Sequence, residues 1–390
     1  MKWILISFIV LVNSTLFAQV LPSFRWAKTT GRLPYMEFGP GDDRLGGAKM
    51  TYLDSLVMLK VVDSLNGDYI VQLSHNHRAF ISRENITWVD GRKGLTYSLS
   101  GSFKVYGDDQ YDYVNINLQE KLPYKSMMQI SPSLIVLDIF GATSNTNWVT
   151  QLNTAKEIRN TWYEQTEDDV LRVFIELKHQ QHWGHRVYYD STGNKLVVKV
   201  KHPPTVKDIR KLHIAIDAGH GGANSGATGL NSKVLEKDYT LLMAKELEKQ
   251  LRKAGNKNIY MTRTTDTTLD MPERILALRE QAPDLLISIH LNSSSKDSIQ
   301  GTSTYYRYIG FRPLSQAILS RMLELNLKEY GNIGHFNFAL SGPTEYPNSL
   351  VEVAFLSNAE DEKRIIDPKF HKLVAKKIIE GTKDWLKKLK

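Results

Sequence analysis

The sequence predicts an α/β domain, built on a mixed and largely parallel sheet with helices on both faces, that follows all-β modules. Two observations carry this prediction. Residues 47–200 read as short alternating strands with tight turns, whereas after residue 212 apolar strands alternate with helical periods. The length of 390 residues, 42% of them hydrophobic, suits two or three domains of ordinary globular composition.

Residues 1–18 are predicted to be a signal peptide. Lys2 supplies a positive charge, an apolar run extends from Ile4 to Val12, and the small residue Ala18 precedes the expected cleavage point. The run is much shorter than the roughly 20 residues needed to span a bilayer, and no second long apolar segment follows. We therefore expect an exported mature chain without a transmembrane helix, located in the periplasm or cell envelope.

The composition excludes several kinds of site. The chain has no cysteine, which rules out disulfides, thiolate metal sites and cysteine nucleophiles, so histidine and carboxylate side chains would have to hold any metal. The net charge of +8 is compatible with an acidic partner such as a cell-wall polymer, an anionic lipid or a nucleic acid. Because no basic motif with interleaved aromatic residues is present and export is expected, nucleic acid is not a predicted partner.

Two β modules are predicted before the α/β domain, over residues 19–95 and 96–201. In the first, apolar residues alternate with polar ones on both sides of the turn Asn66-Gly67, which is typical of short strands in a small barrel. In the second, alternating strands without an intervening helical period favour a β-sandwich. The first stretch resembles a bacterial SH3-like domain and the second an AMIN domain, a resemblance that implies a role in targeting the cell wall.

A predicted linker, residues 202–210, separates these modules from the α/β domain, residues 211–390. The linker begins with His202 and two prolines. The first helix of the domain is predicted from apolar residues that recur every four positions between Tyr239 and Leu251. Further strands are predicted at 285–289 and 349–355, and further helices at 272–281, 313–329 and 370–389.

Polar residues at the ends of apolar strands are the candidate functional residues, because ligands bind at the carboxyl ends of strands in open α/β sheets. His220 follows the first strand, His290 lies at the end of the second, and Glu352 lies within the third. Glu236 opens the first helix. Two imidazoles and a carboxylate are a common ligand set for catalytic zinc, but each histidine taken alone is more often structural. Glu352 should be buried between valines, and a buried carboxylate needs a partner, a cation or a raised pKa.

Residues 212–388 resemble the zinc-dependent N-acetylmuramoyl-L-alanine amidases of the third amidase family, which are cell-wall hydrolases. The matching stretches are 216–222, 236–238, 261–266, 288–292 and 351–358. The resemblance implies that His220, Glu236 and His290 bind zinc. It also implies that Glu352 is the catalytic carboxylate, acting first as general base and then as general acid.

The resemblance has further implications for the surroundings of the site. Asn292 is expected to be a polar wall, while Arg263 and Arg274 are expected to brace the fold. Some relatives carry a helical insertion between the second histidine and the last glutamate that blocks the zinc. The short connection in this chain predicts an open and accessible site instead.

The function predicted from the sequence is peptidoglycan hydrolysis. The enzyme would cleave the amide between the lactyl group of N-acetylmuramic acid and L-Ala of the stem peptide, using a zinc-activated water. Two other hypotheses stay open, a catalytically inactive wall-binding scaffold and a zinc peptidase that acts on stem peptides. The expected partners are peptidoglycan and, through the N-terminal modules, cell-division or envelope proteins.

Overall fold

The computed structural model describes residues 24–41, 46–91, 98–191 and 193–389. The predicted signal peptide, residues 1–18, lies outside these ranges. Among the residues that are described, no helix is both long and apolar enough to cross a membrane.

An antiparallel sheet forms the first β module. Its strands are β1 Arg25–Thr29, β2 Tyr35–Glu37, β3 Lys49–Tyr52, β4 Met58–Leu65, β5 Asp68–Gln72, β6 Arg78–Ser82 and β7 Ile86–Trp88. They follow the order β3-β2-β6-β5-β4-β1-β7. Asn66 and Gly67 join β4 to β5, and both have positive φ, as a tight two-residue hairpin turn requires.

Two further sheets form the second module. Its strands are β8 Ser98–Gly107, β9 Tyr111–Leu118, β10 Tyr124–Ile130, β11 Ser133–Phe140, β12 Ala142–Thr143, β13 Val149–Gln151, β14 Ile158–Glu167, β15 Val170–Leu177, β16 His185–Tyr189 and β17 Lys195–Lys201. One sheet has the order β10-β11-β15-β14 and the other β12-β8-β9-β17-β16, with β13 also paired to β8. Leu59 of the first module shares one hydrophobic cluster with Phe103 and Val173 of these two sheets. The all-β character predicted for the N-terminal region is confirmed.

The C-terminal domain combines one sheet with five α-helices in the described part of the chain. Its strands are β18 Ile214–Ala218, β19 Ile259–Met261, β20 Leu285–Asn292, β21 Thr302–Tyr305, β22 Glu329–Ile333 and β23 Asn348–Phe355. Its helices are α1 Glu236–Lys253, α2 Met271–Gln281, α3 Arg312–Met322, α4 Ala359–Ile365 and α5 Pro368–Lys388. The strand order is β19-β18-β20-β23-β21-β22. The first four strands of this order are parallel, and β21 runs antiparallel to β23, so the predicted mixed α/β class is confirmed.

Helices cover both faces of this sheet. Ile214 and Ile216 of β18 belong to one hydrophobic cluster with Leu247 of α1. Ala215, which lies between them, belongs to another cluster with Leu278 of α2. Because successive side chains of a strand point to opposite faces, α1 and α2 pack on opposite sides of the sheet.

The helix predicted over residues 313–329 is shorter than expected. The α-helix ends at Met322, a single 3₁₀ turn follows, and Asn326 adopts a left-handed conformation with φ of 57°. The chain then enters β22, which begins at Glu329. Leu323 and Leu325 continue the helical period in the sequence, but they lie in the 3₁₀ turn that precedes the connection to β22.

The second module meets the C-terminal domain at residues 181–185. The ring of Trp183 packs against that of Trp385, with a centroid separation of 5.1 Å. The backbone N–H of His185 donates a hydrogen bond of 2.8 Å to the carbonyl of Thr344. Trp183 is only 3% exposed, so this contact buries apolar surface between the two parts of the chain.

Candidate metal centre

His220 lies in a tight turn after β18 whose carbonyl groups are held by two arginine side chains. Its φ of 60° is uncommon for a residue with a side chain. Arg274 donates to the carbonyl oxygens of His220 and, at 2.8 Å, of Ala218. Arg263 donates to the carbonyl oxygen of Gly219 at 2.9 Å. The two arginines therefore brace the turn that presents His220.

A buried ion pair fixes Arg274 in turn. Its guanidinium donates to a carboxylate oxygen of Asp217 at 2.6 Å, and both side chains are 1% exposed. The hydroxyls of Thr262 and Ser288 donate to the same carboxylate at 2.6 and 2.7 Å. Burial raises the pKa of Asp217, but Arg274 and these hydroxyls outweigh burial and hold the pKa below its usual value. Asp217 is thus an ionised anchor at the end of β18.

Two glycines allow close contacts around the site. A Cβ atom on Gly219 would lie 2.4 Å from Cε1 of His290. A Cβ atom on Gly226, which has φ of 67°, would lie 2.4 Å from a carboxylate oxygen of Glu236. Any side chain at these two positions would displace one of the candidate ligands.

Glu236 is the first residue of α1, and its carboxylate is held by backbone groups. One oxygen accepts a hydrogen bond of 2.8 Å from the N–H of Ala227. The other oxygen, Oε1, accepts one of 3.0 Å from the N–H of Leu291. The residue is 3% exposed, so these bonds both satisfy a buried charge and fix its direction.

The structure brings His220, Glu236 and His290 together. Nε2 of His220 and Nδ1 of His290 each lie 3.1 Å from Oε1 of Glu236. One potential ligand atom from each of the three side chains lies within 4.8 Å of the other two. Two imidazole nitrogens and one carboxylate oxygen at this spacing suit a single metal ion that keeps an open coordination position.

The side chain of Asn224 orients His220. Its Oδ1 lies 2.9 Å from Nδ1 of His220. In the neutral ring, Nδ1 donates its hydrogen to this amide oxygen and Nε2 carries the lone pair that a metal ion needs; in the protonated ring, Nε2 also carries a hydrogen and donates it to Glu236. Such hydrogen bonds from outside the ligand set commonly fix the tautomer of a metal-binding histidine.

The charge states of these side chains favour a cation. Burial raises the pKa of Glu236, but hydrogen bonds from the two imidazoles outweigh burial and hold the pKa well below its usual value. Burial lowers the pKa of His220, and its hydrogen bond to Glu236 outweighs burial and raises the pKa. The centre of the cluster is therefore a buried negative charge.

Glu352 lies beside the cluster but outside it. In the parallel pairing of β20 with β23, Glu352 lies opposite His290. Its side chain is buried, with the residue 6% exposed, and it lines the same groove as the three candidate ligands. A carboxylate in this position lies close to the three clustered side chains without being one of them.

The groove has a volume of about 760 Å³ and runs along the carboxyl ends of the central strands. Asn292 lines it, as expected of a polar wall. The ring of Phe338 lies nearly parallel to that of His290, at an interplanar angle of 13° and a centroid separation of 6.3 Å. Neither Phe338 nor Asn224 was predicted from the sequence. The local feature that points to Phe338 is its pairing with Phe336 in an otherwise largely polar connection.

Helix α3, which lies between His290 and Glu352 in the chain, packs away from the groove. A Cβ atom on Gly381 of α5 would lie 2.6 Å from the Cα atom of Ile318 in α3, so these two helices are in close contact. Among the described residues, none of α3 lines the groove. The side chains of His220 and His290 keep 19% and 16% of their surface exposed, which leaves the cluster accessible.

Two protein families match this chain. Residues 214–384 match the N-acetylmuramoyl-L-alanine amidase family, and residues 102–200 match the AMIN domain. N-acetylmuramoyl-L-alanine amidase AmiC of Escherichia coli O6:H1 is 26% identical over 220 residues, which cover 45% of this chain and 52% of AmiC. The probable cell wall amidase LytH of Staphylococcus aureus is 31% identical over 171 residues, which cover 44% of this chain and 57% of LytH. The chain thus spans about half the length of the curated relatives it matches.

Solved structures of amidases are also similar in sequence. The catalytic domain of CwlV from Bacillus (Paenibacillus) polymyxa var. colistinus is 33% identical, covers 45% of this chain and 97% of its own, and has a TM-score of 0.42. The N-acetylmuramoyl-L-alanine amidase from Clostridium difficile 630 is 30% identical, covers 46% and 98%, and has a TM-score of 0.43. The matched segment contains the whole site from His220 to Glu352. Residues 214–384 therefore belong to the N-acetylmuramoyl-L-alanine amidase family, and they follow an AMIN domain at residues 102–200.

Proposed function

We propose that this protein is a zinc-dependent peptidoglycan hydrolase that cleaves the amide between the lactyl group of N-acetylmuramic acid and L-Ala of the stem peptide. One observation carries the proposal. His220, Glu236 and His290 converge within a segment that matches the amidase family. Glu352 lies in the adjacent strand, and the family match extends over it.

His220, Glu236 and His290 would hold the zinc ion. The donor set fits zinc, since it supplies two imidazole nitrogens and one buried carboxylate oxygen, all within 4.8 Å of one another. Asn224 supports the fit because it occupies Nδ1 of His220 and leaves Nε2 available. When bound, zinc lowers the pKa of a water molecule to about 7 and polarises a carbonyl group, which makes an amide hydrolysable near neutral pH.

Glu352 would transfer the proton. As general base its carboxylate takes a proton from the attacking water, and as general acid it returns this proton to the leaving nitrogen of L-Ala. The C–N bond then breaks, which leaves a lactyl carboxylate on the glycan and a free amino terminus on the peptide. Burial and the position opposite His290 suit this role, because the carboxylate lies next to the three clustered side chains and is not one of them.

The groove would bind the wall polymer. Its volume of about 760 Å³ is of the size that holds a sugar and a short peptide, and its position at the carboxyl ends of the strands is the usual one for ligands of such sheets. Asn292 offers a polar wall and Phe338 an apolar one. The two walls suit a substrate that is part glycan and part peptide.

The N-terminal modules would direct the enzyme to the cell envelope. We assign residues 19–95 to an SH3-like domain, because the described part of this range forms one antiparallel sheet of seven short strands. Residues 96–201 would be the AMIN domain, residues 202–210 a linker and residues 211–390 the amidase. Peptidoglycan, or cell-division and envelope proteins, would be the ligands of these modules in the periplasm or envelope.

Digestion of purified sacculi tests the proposed function. Mass spectrometry of the products should find intact glycan strands and peptides with free L-Ala amino termini, and elemental analysis should find one zinc per chain. A peptidase would instead cut within the stem peptide, and an inactive scaffold would bind sacculi without releasing peptides. Either of these results would overturn the assignment.

A further inference from the structure

One wall of the groove is formed by the connection after β22, residues 334–342, which we call the groove loop. Phe338, Ala339 and Leu340 of this loop line the groove together with the candidate ligands. Phe338 is the member that lies nearly parallel to the ring of His290. The conformation of the groove loop therefore decides the shape of the space in which substrate would bind.

The groove loop is held by the first β module through Asn337. Its side-chain oxygen accepts hydrogen bonds from the backbone N–H of Lys49 at 3.0 Å and from Arg307 at 3.1 Å. Its side-chain nitrogen donates to the carbonyl oxygen of Gly47 at 2.7 Å. Arg307 also donates to the carbonyl oxygen of Lys49. These bonds join the groove loop to the start of β3, although Gly47 and Asn337 are 290 residues apart in the sequence.

A second set of contacts holds the end of the groove loop. The hydroxyl of Tyr52, the last residue of β3, donates to the carbonyl oxygen of Ala339 at 3.3 Å. Leu33 of the first module is buried in the same hydrophobic cluster as Leu340. A Cβ atom on Gly342 would lie 3.0 Å from the Tyr52 ring, so ring and backbone are in direct contact. Both polar and apolar contacts thus place the loop against the first module.

We propose that the first β module is a positioning element of the catalytic groove, which sets substrate binding by holding residues 334–342 in place. The inference rests on the proposed function, because it takes the groove to be the substrate site. The hydrogen bonds named above end on the first module and on Arg307, whereas the loop faces the candidate ligands through Phe338, whose ring centroid lies 6.3 Å from that of His290. A ring contact at this distance does not hold a ligand atom in place. Releasing the loop should therefore weaken substrate binding while leaving zinc and the proton transfer intact.

The test uses the full-length chain and the variant Asn337→Ala. Loss of its hydrogen bonds should raise the KM for a soluble muramyl peptide about ten-fold, with kcat and zinc content little changed. Asn337→Asp keeps the oxygen acceptors and should recover part of this loss. Tyr52→Phe removes only the hydroxyl that binds Ala339 and should raise the KM by a smaller factor.

Tyr69→Phe is the matched control, because Tyr69 belongs to the same module but contacts Trp88 at 5.1 Å, away from the groove loop. An unchanged KM in both Asn337→Ala and Tyr52→Phe, or an equal rise in Tyr69→Phe, would overturn the inference. Hydrogen exchange of the backbone amides in residues 334–342 tests it independently of activity. Exchange should be faster in Asn337→Ala than in Tyr69→Phe, and equal rates would refute the positioning role even if the wild-type chain shows no amidase activity.

Discussion

His290 and Glu352 lie opposite each other in the neighbouring parallel strands β20 and β23. Side chains that share a register position at the carboxyl edge of a parallel sheet face the same groove, here the one of about 760 Å³. The pairing explains how a candidate metal ligand and a buried carboxylate far apart in sequence can act on one substrate. The two residues have different proposed roles, because His290 belongs to the cluster of candidate ligands and Glu352 does not.

Replacing Asn224 should weaken zinc binding without removing a ligand. Asn224→Ala takes away the acceptor that lies 2.9 Å from Nδ1 of His220 and so frees the ring to change tautomer and orientation. We expect the zinc affinity to fall by roughly 10- to 100-fold, as measured by competition with a chelator. Asn194→Ala, which changes an exposed asparagine of the second module, is the control. Equal affinities of the two variants would argue against the orienting role.

Removing a proposed ligand should abolish metal binding. His220→Ala leaves only Glu236 and His290, and two ligands hold zinc poorly. Elemental analysis of the purified variant should find little zinc, and release of peptide from sacculi should be lost with it. His75→Ala changes an exposed histidine of the first module and should keep one zinc per chain. Stoichiometric zinc in His220→Ala would contradict the ligand assignment.

The ion pair between Asp217 and Arg274 should be important for stability. Asp217→Ala leaves a guanidinium buried without its partner, since both side chains are 1% exposed. The free energy of unfolding in urea should fall by about 3–5 kcal/mol. Asp384→Ala is the comparison, because Asp384 pairs with the partly exposed Arg321 and should cost no more than about 1 kcal/mol. A similar decrease in the free energy of unfolding in the two variants would show that burial does not determine how much an ion pair contributes to stability.

Two buried histidines should make the junction between the second module and the C-terminal domain sensitive to acid. His182 bonds to the carbonyl of Gln129 at 2.7 Å and His185 to the hydroxyl of Ser126 at 2.9 Å. Burial lowers the pKa of His182 to about 4 and that of His185 to about 3. Both pKa values lie below the ordinary 6.5, so the folded state favours neutral imidazoles.

The sign of the pH effect follows from these values. The stability that neutral imidazoles contribute is fully present above pH 6.5 and falls as the pH drops toward 4, because the unfolded chain then binds protons that the folded chain does not. Each histidine should contribute about 1.4 kcal/mol per pH unit in this window. Urea unfolding at pH 7 and pH 5 should therefore show a smaller difference for His182→Gln than for the wild type. Identical differences would rule out this histidine as a source of the acid sensitivity.

Local patterns predicted much of the C-terminal domain. The apolar runs of β18, β20 and β23 and the four-residue period of α1 lie in single short segments, so the sequence carries them directly. The predicted helix that reached residue 329 was wrong at its end, because Asn326 reverses the chain and tertiary pairing makes residues 329–333 a strand. The pairing of residues 329–333 with β21 cannot be inferred from the local pattern of apolar residues.

The surroundings of the site depend on contacts that are distant in sequence. The bond of Asn337 to Gly47 joins two domains, and neither residue belongs to a motif. Asn224 is only four residues from His220, but its role depends on a turn with positive φ that the sequence alone does not specify. The spacing of His220, Glu236 and His290 is likewise set by three different elements of the fold, and the family resemblance was needed to select them.

Zinc content and peptide release measured together on Glu352→Gln test the central claim most directly. The substitution keeps the size of a buried side chain but removes the group that would accept the proton. We predict that the variant binds one zinc per chain, as the wild type should, and releases stem peptides from sacculi at least about 100-fold more slowly. Release at the wild-type rate by the zinc-loaded variant would contradict the role of Glu352 and with it the proposed mechanism.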